Sequence, residues 1–248
     1  MPGSATHIAI ADKINNILGE GVIKNLSLFF GGNIAPDAVH SKKDYKRADK
    51  KHSHLCDGIR SYGYGYPDKA KLFKDMVNDF IEGYYMSAGN DKDLYFGYLV
   101  HLLTDEFYLL SVYERLESHL ISNGSNPEEP GFRKKIADEV NDDPEAYNPA
   151  LIDFFREASS TVEISAYNYG FKQNVVDVLK AVWDYEVKDY ISVTEINSHK
   201  QWVIDTFFRG GKTKSDADSA IASEFVGLAA NSIINSLSCE GGIVRLLQ

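Results

Sequence analysis

Cysteine is scarce in this chain of 248 residues, which holds two, Cys56 and Cys239, far apart in the sequence. No Cys-x-x-Cys pair occurs. Domains stabilised by disulfides carry many closely spaced cysteines, and thiolate zinc sites are built from such pairs. The sequence therefore excludes a disulfide framework and a thiolate zinc site.

Long apolar runs are also missing. No window approaches the roughly 18 apolar residues that a membrane-spanning helix needs. The amino terminus reads MPGSATHIAIADKI, without a basic region or a long apolar core, so no signal peptide is expected. We expect a cytoplasmic protein without a transmembrane segment.

Positive charge is in short supply, since 26 Lys and Arg stand against 36 Asp and Glu for a net charge of −10. An acidic surface repels phosphate backbones and anionic lipid. No nucleic-acid partner is therefore expected, and small or neutral substrates remain open.

Helical periodicity dominates what is present. Hydrophobic residues make up 44% of the chain and aromatic residues 12%, which is ample for a packed core. Apolar residues recur at helical spacing, and the alternation typical of strands is rare. We find no internal repeat and no long linker. The sequence predicts an all-α fold, a single multi-helix bundle in one domain over residues 1–248.

Caps and helix breakers locate the helices. Ser4 or Thr6 is expected to cap a first helix that runs to Leu18, and a second apolar run over 22–30 is expected to stop at Gly31 and Gly32. Residues 33–67 read as an irregular polar stretch, and a loop of that length is usually functional or disordered. Further helices are predicted over 67–85, 91–121, 131–140, 149–158, 161–188, 193–208 and 215–238.

The strongest chemical signal is the pair His101 and Asp105. Residues four apart stack on one face of a helix, and the other residues on this face are largely apolar. An ionised aspartate in such surroundings costs several kcal/mol unless it has a partner. A His–Asp hydrogen bond in the core is one explanation, and a cation shared by the two side chains is another.

Four other polar residues give weaker signals of the same kind. His7 lies on the apolar face of the first helix, where a histidine with ordinary protein neighbours is the simpler explanation. Asp37 follows Pro36 in a turn. The turn either points the aspartate side chain inward or lets it cap a helix. His52 and His54 stand among lysines, where histidines usually lie on the surface.

In their order, these residues resemble the zinc-dependent phospholipase C family, to which the single-strand-specific zinc nucleases are related in fold. The resemblance covers about residues 1–110. It implies a helical bundle of the phospholipase C and zinc nuclease type. It also implies zinc, one or two ions, held by five ligands. These are His7, Asp37, His54, His101 and Asp105.

The sequence also departs from the family pattern. It lacks an amino-terminal tryptophan, Ser111 stands where a further histidine is expected, and no HxxxE occurs. The resemblance implies a metal-dependent hydrolase of phosphoric esters, in which metal-bound hydroxide attacks phosphorus and Asp37 also orients or deprotonates the water. The substrate is then a small-molecule or lipid-headgroup phosphoric ester. The alternative is a non-catalytic helical protein whose metal is structural.

Weaker candidates accompany this set. His40 and His52 are candidates to bind phosphate or protonate a leaving group, or are ordinary surface histidines. Glu195 and His199 offer one more ligand pair or a surface pair. The tyrosine-rich segment 62–66 is a candidate aromatic wall or simply a packed loop. The lysines and arginine of 42–51 form the one basic cluster, which either receives a phosphate or only solvates a helix.

Overall fold

The computed structural model describes residues 3–59, 67–132, 173–181, 184–208 and 216–240. Within them, one isolated bridge joins Val187 and Ile191 and no β-strand occurs. The predicted all-α fold is confirmed. The helices are α1 (Ser4–Leu18), α2 (Leu26–Ala38), α3 (Arg47–Ser53), α4 (Pro67–Phe80), α5 (Lys92–Ser122), α6 (Gln173–Lys180), α7 (Val193–Val203) and α8 (Asp216–Glu240). Short 3₁₀ turns cover Val39–Ser41 and Gly89–Asp91, and π-helical turns continue α4 over Ile81–Tyr85 and α7 over Ile204–Phe208.

The first helix has the predicted end but not the predicted cap. Gly3 occupies the N-cap position without a side-chain hydrogen bond, and Ser4 and Thr6 lie inside the helix, buried. Beyond Leu18, Gly19 adopts φ +85°, a left-handed conformation that favours glycine. The cap prediction was wrong because the helix already includes the two residues proposed as caps.

The second helix runs through Gly31 and Gly32, where the sequence predicted its end. A Cβ added at Gly32 would lie 1.9 Å from the carbonyl oxygen of Leu94, and one added at Gly97 would lie 1.9 Å from that of Phe29. These two glycines therefore allow the backbones of α2 and α5 to touch. Gly31 and Gly32 therefore lie inside α2, and Gly32 is a position of helix packing rather than a helix end.

Residues 33–67 are less irregular than predicted, because α2 continues past Pro36 to Ala38 and α3 forms at Arg47–Ser53. The carboxylate of Asp49 accepts a hydrogen bond from the backbone N–H of Lys46 at 2.7 Å, which closes the first turn of α3. Ser53 Oγ donates to the carbonyl oxygen of Pro36 at 2.9 Å and ties α3 to α2. Residues 60–66 lie outside the described chain.

The predictions for the later helices are mixed. α4, α5, α7 and α8, with the π-helical turns, agree with the predicted spans. α6 ends at Lys180, so the prediction of one helix over 161–188 was wrong at its carboxyl end. Asp184, within the predicted span, adopts φ +53°, which an α-helix does not tolerate. The predicted helices over 131–140 and 149–158 fall almost entirely on residues outside the described chain.

The core centres on the pairing of α2 with α5. α1 contacts α2, α5 and α8, and α7 contacts α2. Phe29 of α2 stacks on Phe96 of α5 at 5.3 Å, and Phe80 of α4 stacks on Tyr98 at 5.0 Å. This arrangement brings α1, α3 and α7 around α2 and α5. Within the described ranges, no helix has the length and apolar character to cross a membrane.

Replacement of Gly32 by Ala tests the close contact of α2 and α5. The new methyl group overlaps the Leu94 backbone, so we expect a loss of at least about 2 kcal/mol in the free energy of unfolding. Gly227→Ala in α8 is the matched control, since nothing lies within 4 Å of its added Cβ. Urea denaturation measures both, and equal stability of the two variants would contradict the packing.

Candidate metal centre

The pair His101 and Asp105 lies in the middle of α5, and both residues are 1% exposed. The side chains share a helix face because they are one turn apart. His101 Nε2 lies 3.7 Å from Asp105 Oδ2. A direct hydrogen bond between them, the simpler explanation offered by the sequence, is absent at this distance.

His7 of α1 reaches the same place. Its side chain is fully buried, and its Nε2 lies 3.3 Å from Asp105 Oδ1. The ring stacks flat on His101, with centroids 3.8 Å apart and planes 4° from parallel. Asp105 therefore presents one oxygen to His7 and the other to His101.

α2 and the end of α3 supply the remaining two residues. His54 Nε2 lies 3.4 Å from Asp105 Oδ2, 3.4 Å from Asp37 Oδ1 and 3.4 Å from His101 Nε2. The chain positions span almost a hundred residues. The structure thus brings together all five residues that the resemblance singled out.

Hydrogen bonds to the backbone set the tautomers of two imidazoles. His101 Nδ1 lies 2.7 Å from the carbonyl oxygen of Asn33, and His54 Nδ1 lies 3.0 Å from that of Lys50. Because a carbonyl oxygen only accepts, each Nδ1 carries the hydrogen, and each neutral ring keeps its lone pair on Nε2. Metal-binding histidines are commonly oriented in this way.

The facing atoms are then mutually repulsive. Two Nε2 lone pairs meet at 3.4 Å beside the carboxylate oxygens of Asp105. Neither oxygen of Asp105 and neither nitrogen of His7 has a hydrogen-bond partner among the described residues, although all four atoms are buried. Buried polar atoms without partners are costly, and a cation at this place would compensate the carboxylate oxygens of Asp105 and the imidazole nitrogens that face them.

The spacing of the donor atoms fits zinc. A tetrahedral zinc ion with bonds of about 2.0–2.1 Å holds its ligand atoms about 3.3 Å apart. The three separations among His54 Nε2, His101 Nε2 and Asp105 Oδ2 are 3.4, 3.4 and 3.7 Å, and Asp37 Oδ1 lies 3.4 Å from His54 Nε2. Neutral imidazoles with carboxylates are a donor set that suits this metal.

Electrostatics keep the cluster in the form that binds a cation. Burial raises the pKa of Asp105, but His7, His101 and His54 outweigh burial and hold this pKa below its usual value. Burial, reinforced by His7, lowers the pKa of His101 well below its usual value. Asp105 is therefore an anion and His101 is neutral near pH 7.

Two candidate groupings share His101. One contains His7, His101 and Asp105, and the other contains Asp37, His54 and His101. His101 Nδ1 is hydrogen-bonded to the carbonyl oxygen of Asn33. Only the lone pair on His101 Nε2 can therefore bind a metal, and it can bind one ion. A second ion near His7 would then share Asp105, whose Oδ1 faces His7 while Oδ2 faces His54.

Two contacts of this cluster could not be predicted from the sequence. Lys50 Nζ lies 3.1 Å from Asp37 Oδ1 and 3.2 Å from His40 Nε2, and Asn33 orients His101. The lysine-rich composition of 42–51 gave no sign that one lysine turns inward. The role of Asn33 lies in its carbonyl group, which no side-chain pattern reveals.

Other sequence candidates form no part of the five-residue cluster. His52 pairs with Asp57 at 2.8 Å and stacks on Tyr190, away from the five-residue cluster. Glu195 closes the first turn of α7 through Ser192 and forms no ligand pair with His199. His199 is 4% exposed, and burial lowers its pKa to about 4. The tyrosines of 62–66 fall outside the described residues.

Comparison with known proteins agrees with this geometry. Residues 6–120 match the family model for zinc dependent phospholipase C. The resemblance read from the sequence is thereby confirmed over this segment. The zinc dependent phospholipase C match spans just under half of the chain, contains all five cluster residues and ends before α6. No curated protein and no solved structure matches the chain.

Zinc binding should stabilise the folded chain. At zinc a hundredfold above its Kd, we expect the free energy of unfolding of chelator-treated protein to rise by about 2.7 kcal/mol. Asp105→Ala should abolish this gain because it removes both shared oxygens. His52→Ala should retain it, and thermal unfolding with and without zinc measures all three proteins. An equal gain in wild type and Asp105→Ala would contradict the assignment.

Acid should destabilise the metal-free protein through His199. The unfolded chain accepts a proton at the usual histidine pKa of 6.5, whereas the folded protein resists it until about pH 4. The unfolded state therefore binds more protons between these values, and stability falls as the pH falls. We expect the free energy of unfolding, measured with urea between pH 7 and pH 4, to depend less steeply on pH in His199→Gln than in the wild-type protein. Identical slopes would show that His199 does not contribute.

Proposed function

We propose that this protein is a zinc-dependent, phospholipase C-like hydrolase of phosphoric esters. The observation that carries the proposal is the carboxylate of Asp105, which is buried, forms no hydrogen bond of normal geometry among the described residues, and faces three imidazoles. The matched family is zinc dependent and acts on phospholipids by its name. Together these support a phosphoesterase and not merely a metal-binding core.

The proposed ligands divide the cluster in two. Asp37, His54, His101 and Asp105 would hold one zinc ion, and His7 would share Asp105 with a second ion where two are bound. Zinc supplies Lewis acidity, which lowers the pKa of a bound water to about 7 and stabilises charge on a phosphoryl group. The backbone carbonyls of Asn33 and Lys50 keep His101 and His54 oriented for this role.

Asp37 is the proposed catalytic residue. Burial raises its pKa, but the charge of Lys50 and the neighbouring imidazoles outweigh burial and hold the pKa well below its usual value. A carboxylate of this kind accepts a hydrogen bond readily but retains a proton poorly. Asp37 therefore orients the attacking water rather than storing its proton, and Lys50 keeps Asp37 charged.

The substrate is proposed to be a phosphoric ester, either a small molecule or a lipid headgroup. Asp37 and His40 line a cavity that adjoins the cluster, so an ester has a route to the zinc ligands. Lys50, in contact with both residues, is a cation available to a phosphate oxygen.

A structural metal is the second candidate. Its support is the depth of the cluster, because His7, His101 and Asp105 are at most 1% exposed. The missing family ligands point the same way. Under this alternative, zinc joins α1, α2, α3 and α5 without turnover.

Replacement of His101 by Ala separates these two roles. If the protein is a hydrolase, we expect turnover of a chromogenic phosphodiester to fall at least about a hundredfold, with helical content retained by circular dichroism. His52→Ala, outside the cluster, is the control and should keep full activity. Zinc content is measured on the same samples.

Zinc binding without catalysis would overturn the proposed function. Stoichiometric zinc in the wild-type protein, with no turnover on a broad panel of phosphoric esters, would assign the metal a structural role. Unfolding of His101→Ala upon zinc loss would agree with that conclusion.

A further inference from the structure

Within the described ranges, Lys50 is the one lysine or arginine that contacts a carboxylate of the metal cluster. Its Nζ lies 3.1 Å from Asp37 Oδ1, and the side chains of Lys50 and Asp37 are only 24% and 13% exposed. Partly buried ion pairs are screened less than exposed ones. Asp37 therefore has a compensating cation from the protein itself, whereas Asp105 faces imidazoles alone among the described residues.

The same ammonium group contacts His40. Lys50 Nζ lies 3.2 Å from His40 Nε2, and His40 Nε2 lies 3.8 Å from Asp37 Oδ1. Because an ammonium group donates hydrogen bonds and accepts none, the imidazole lone pair of His40 is the acceptor. Carboxylate oxygens and imidazole nitrogens are ligand atoms that suit zinc. Lys50 therefore lies between two atoms that would otherwise be available to a metal ion.

The charge of the cluster limits how many ions it can hold. Metal-binding carboxylates are ionised and metal-binding imidazoles are neutral. Asp37 and Asp105 then contribute two negative charges and Lys50 contributes one positive charge, which leaves −1 before any metal binds. One Zn²⁺ changes this to +1 and two change it to +3, in a site whose three innermost side chains are at most 1% exposed. Uncompensated buried charge is costly, so the second ion is disfavoured.

We propose that Lys50 takes the place of a second metal ion, so that the cluster holds one tightly bound zinc ion rather than two. This inference rests on the zinc site of the proposed function. Lys50 repels a second divalent ion because its ammonium group contacts Asp37, a proposed ligand of the first. It also keeps the lone pair of His40 from binding metal. Its fixed charge supplies, beside Asp37, positive charge that a second ion would otherwise bring.

The position of His7 is compatible with a single ion. Its ring stacks flat on His101 at 3.8 Å, and its Nε2 lies 3.3 Å from Asp105 Oδ1. His7 is thus in contact with two proposed ligands of the one ion. Groups that pack behind metal ligands commonly orient them, so His7 acts as a positioning residue for His101 and Asp105.

Substitution of Lys50 can remove the charge without moving the neighbouring ligand. The backbone carbonyl oxygen of Lys50 orients His54 Nδ1 at 3.0 Å, and a side-chain change leaves that carbonyl in place. Lys50→Met and Lys50→Gln are two neutral variants of similar length, and Lys50→Arg retains the charge. Lys51→Met is the matched control, because Lys51 forms no ion pair with either aspartate in the part of the chain that the structure describes.

Zinc content of the purified full chain, measured by mass spectrometry after dialysis, tests the role of Lys50 without reference to activity. We expect one zinc ion per chain in the wild-type protein, in Lys50→Arg and in Lys51→Met. Lys50→Met and Lys50→Gln should retain a second ion. Calorimetric titration with zinc should show this ion binding at least about tenfold more tightly than any second ion in the wild-type protein, because a nearby like charge is gone.

Two tightly bound zinc ions in the wild-type protein would overturn the inference. A neutral variant of Lys50 that is folded by circular dichroism and still holds one ion would do the same. The proposed function fails differently. One zinc ion without turnover of any ester leaves the role of Lys50 standing and removes hydrolysis, whereas turnover with two zinc ions does the reverse. A wild-type protein that binds no zinc would overturn both.

Discussion

The carboxylate of Asp105 is the group on which the rest of this structure depends. It lies in the middle of α5 with three imidazoles around it and forms no hydrogen bond of normal geometry among the described residues. Removal of a charge from water costs several kcal/mol unless another charge compensates it. A zinc ion meets this need, and it also relieves the repulsion between the Nε2 lone pairs of His54 and His101.

The packing of the helices serves this cluster directly. Gly97 lies one turn before His101, and Gly32 directly precedes Asn33. Because these glycines let the two backbones touch, the carbonyl oxygen of Asn33 comes within 2.7 Å of His101 Nδ1. The same glycines that support the helix contact therefore fix the tautomer of a proposed ligand.

Much of the fold and of the cluster could be predicted from the sequence. Helical periodicity located most of the described helices, and the order of His7, Asp37, His54, His101 and Asp105 pointed to one cluster. The path of α2 could not be predicted, because Gly31, Gly32 and Pro36 end helices unless a partner helix requires them. The parts played by Asn33 and His199 depend on tertiary contacts, which local patterns do not contain.

Anomalous diffraction at the zinc absorption edge, from crystals grown without chelator, tests the central claim most directly. The account predicts a peak between His54 Nε2, His101 Nε2 and Asp105 Oδ2, and any second peak between Asp105 Oδ1 and His7. Crystals in which these five side chains hold no anomalous scatterer, with His7 or His54 hydrogen-bonded to Asp105 instead, would contradict it.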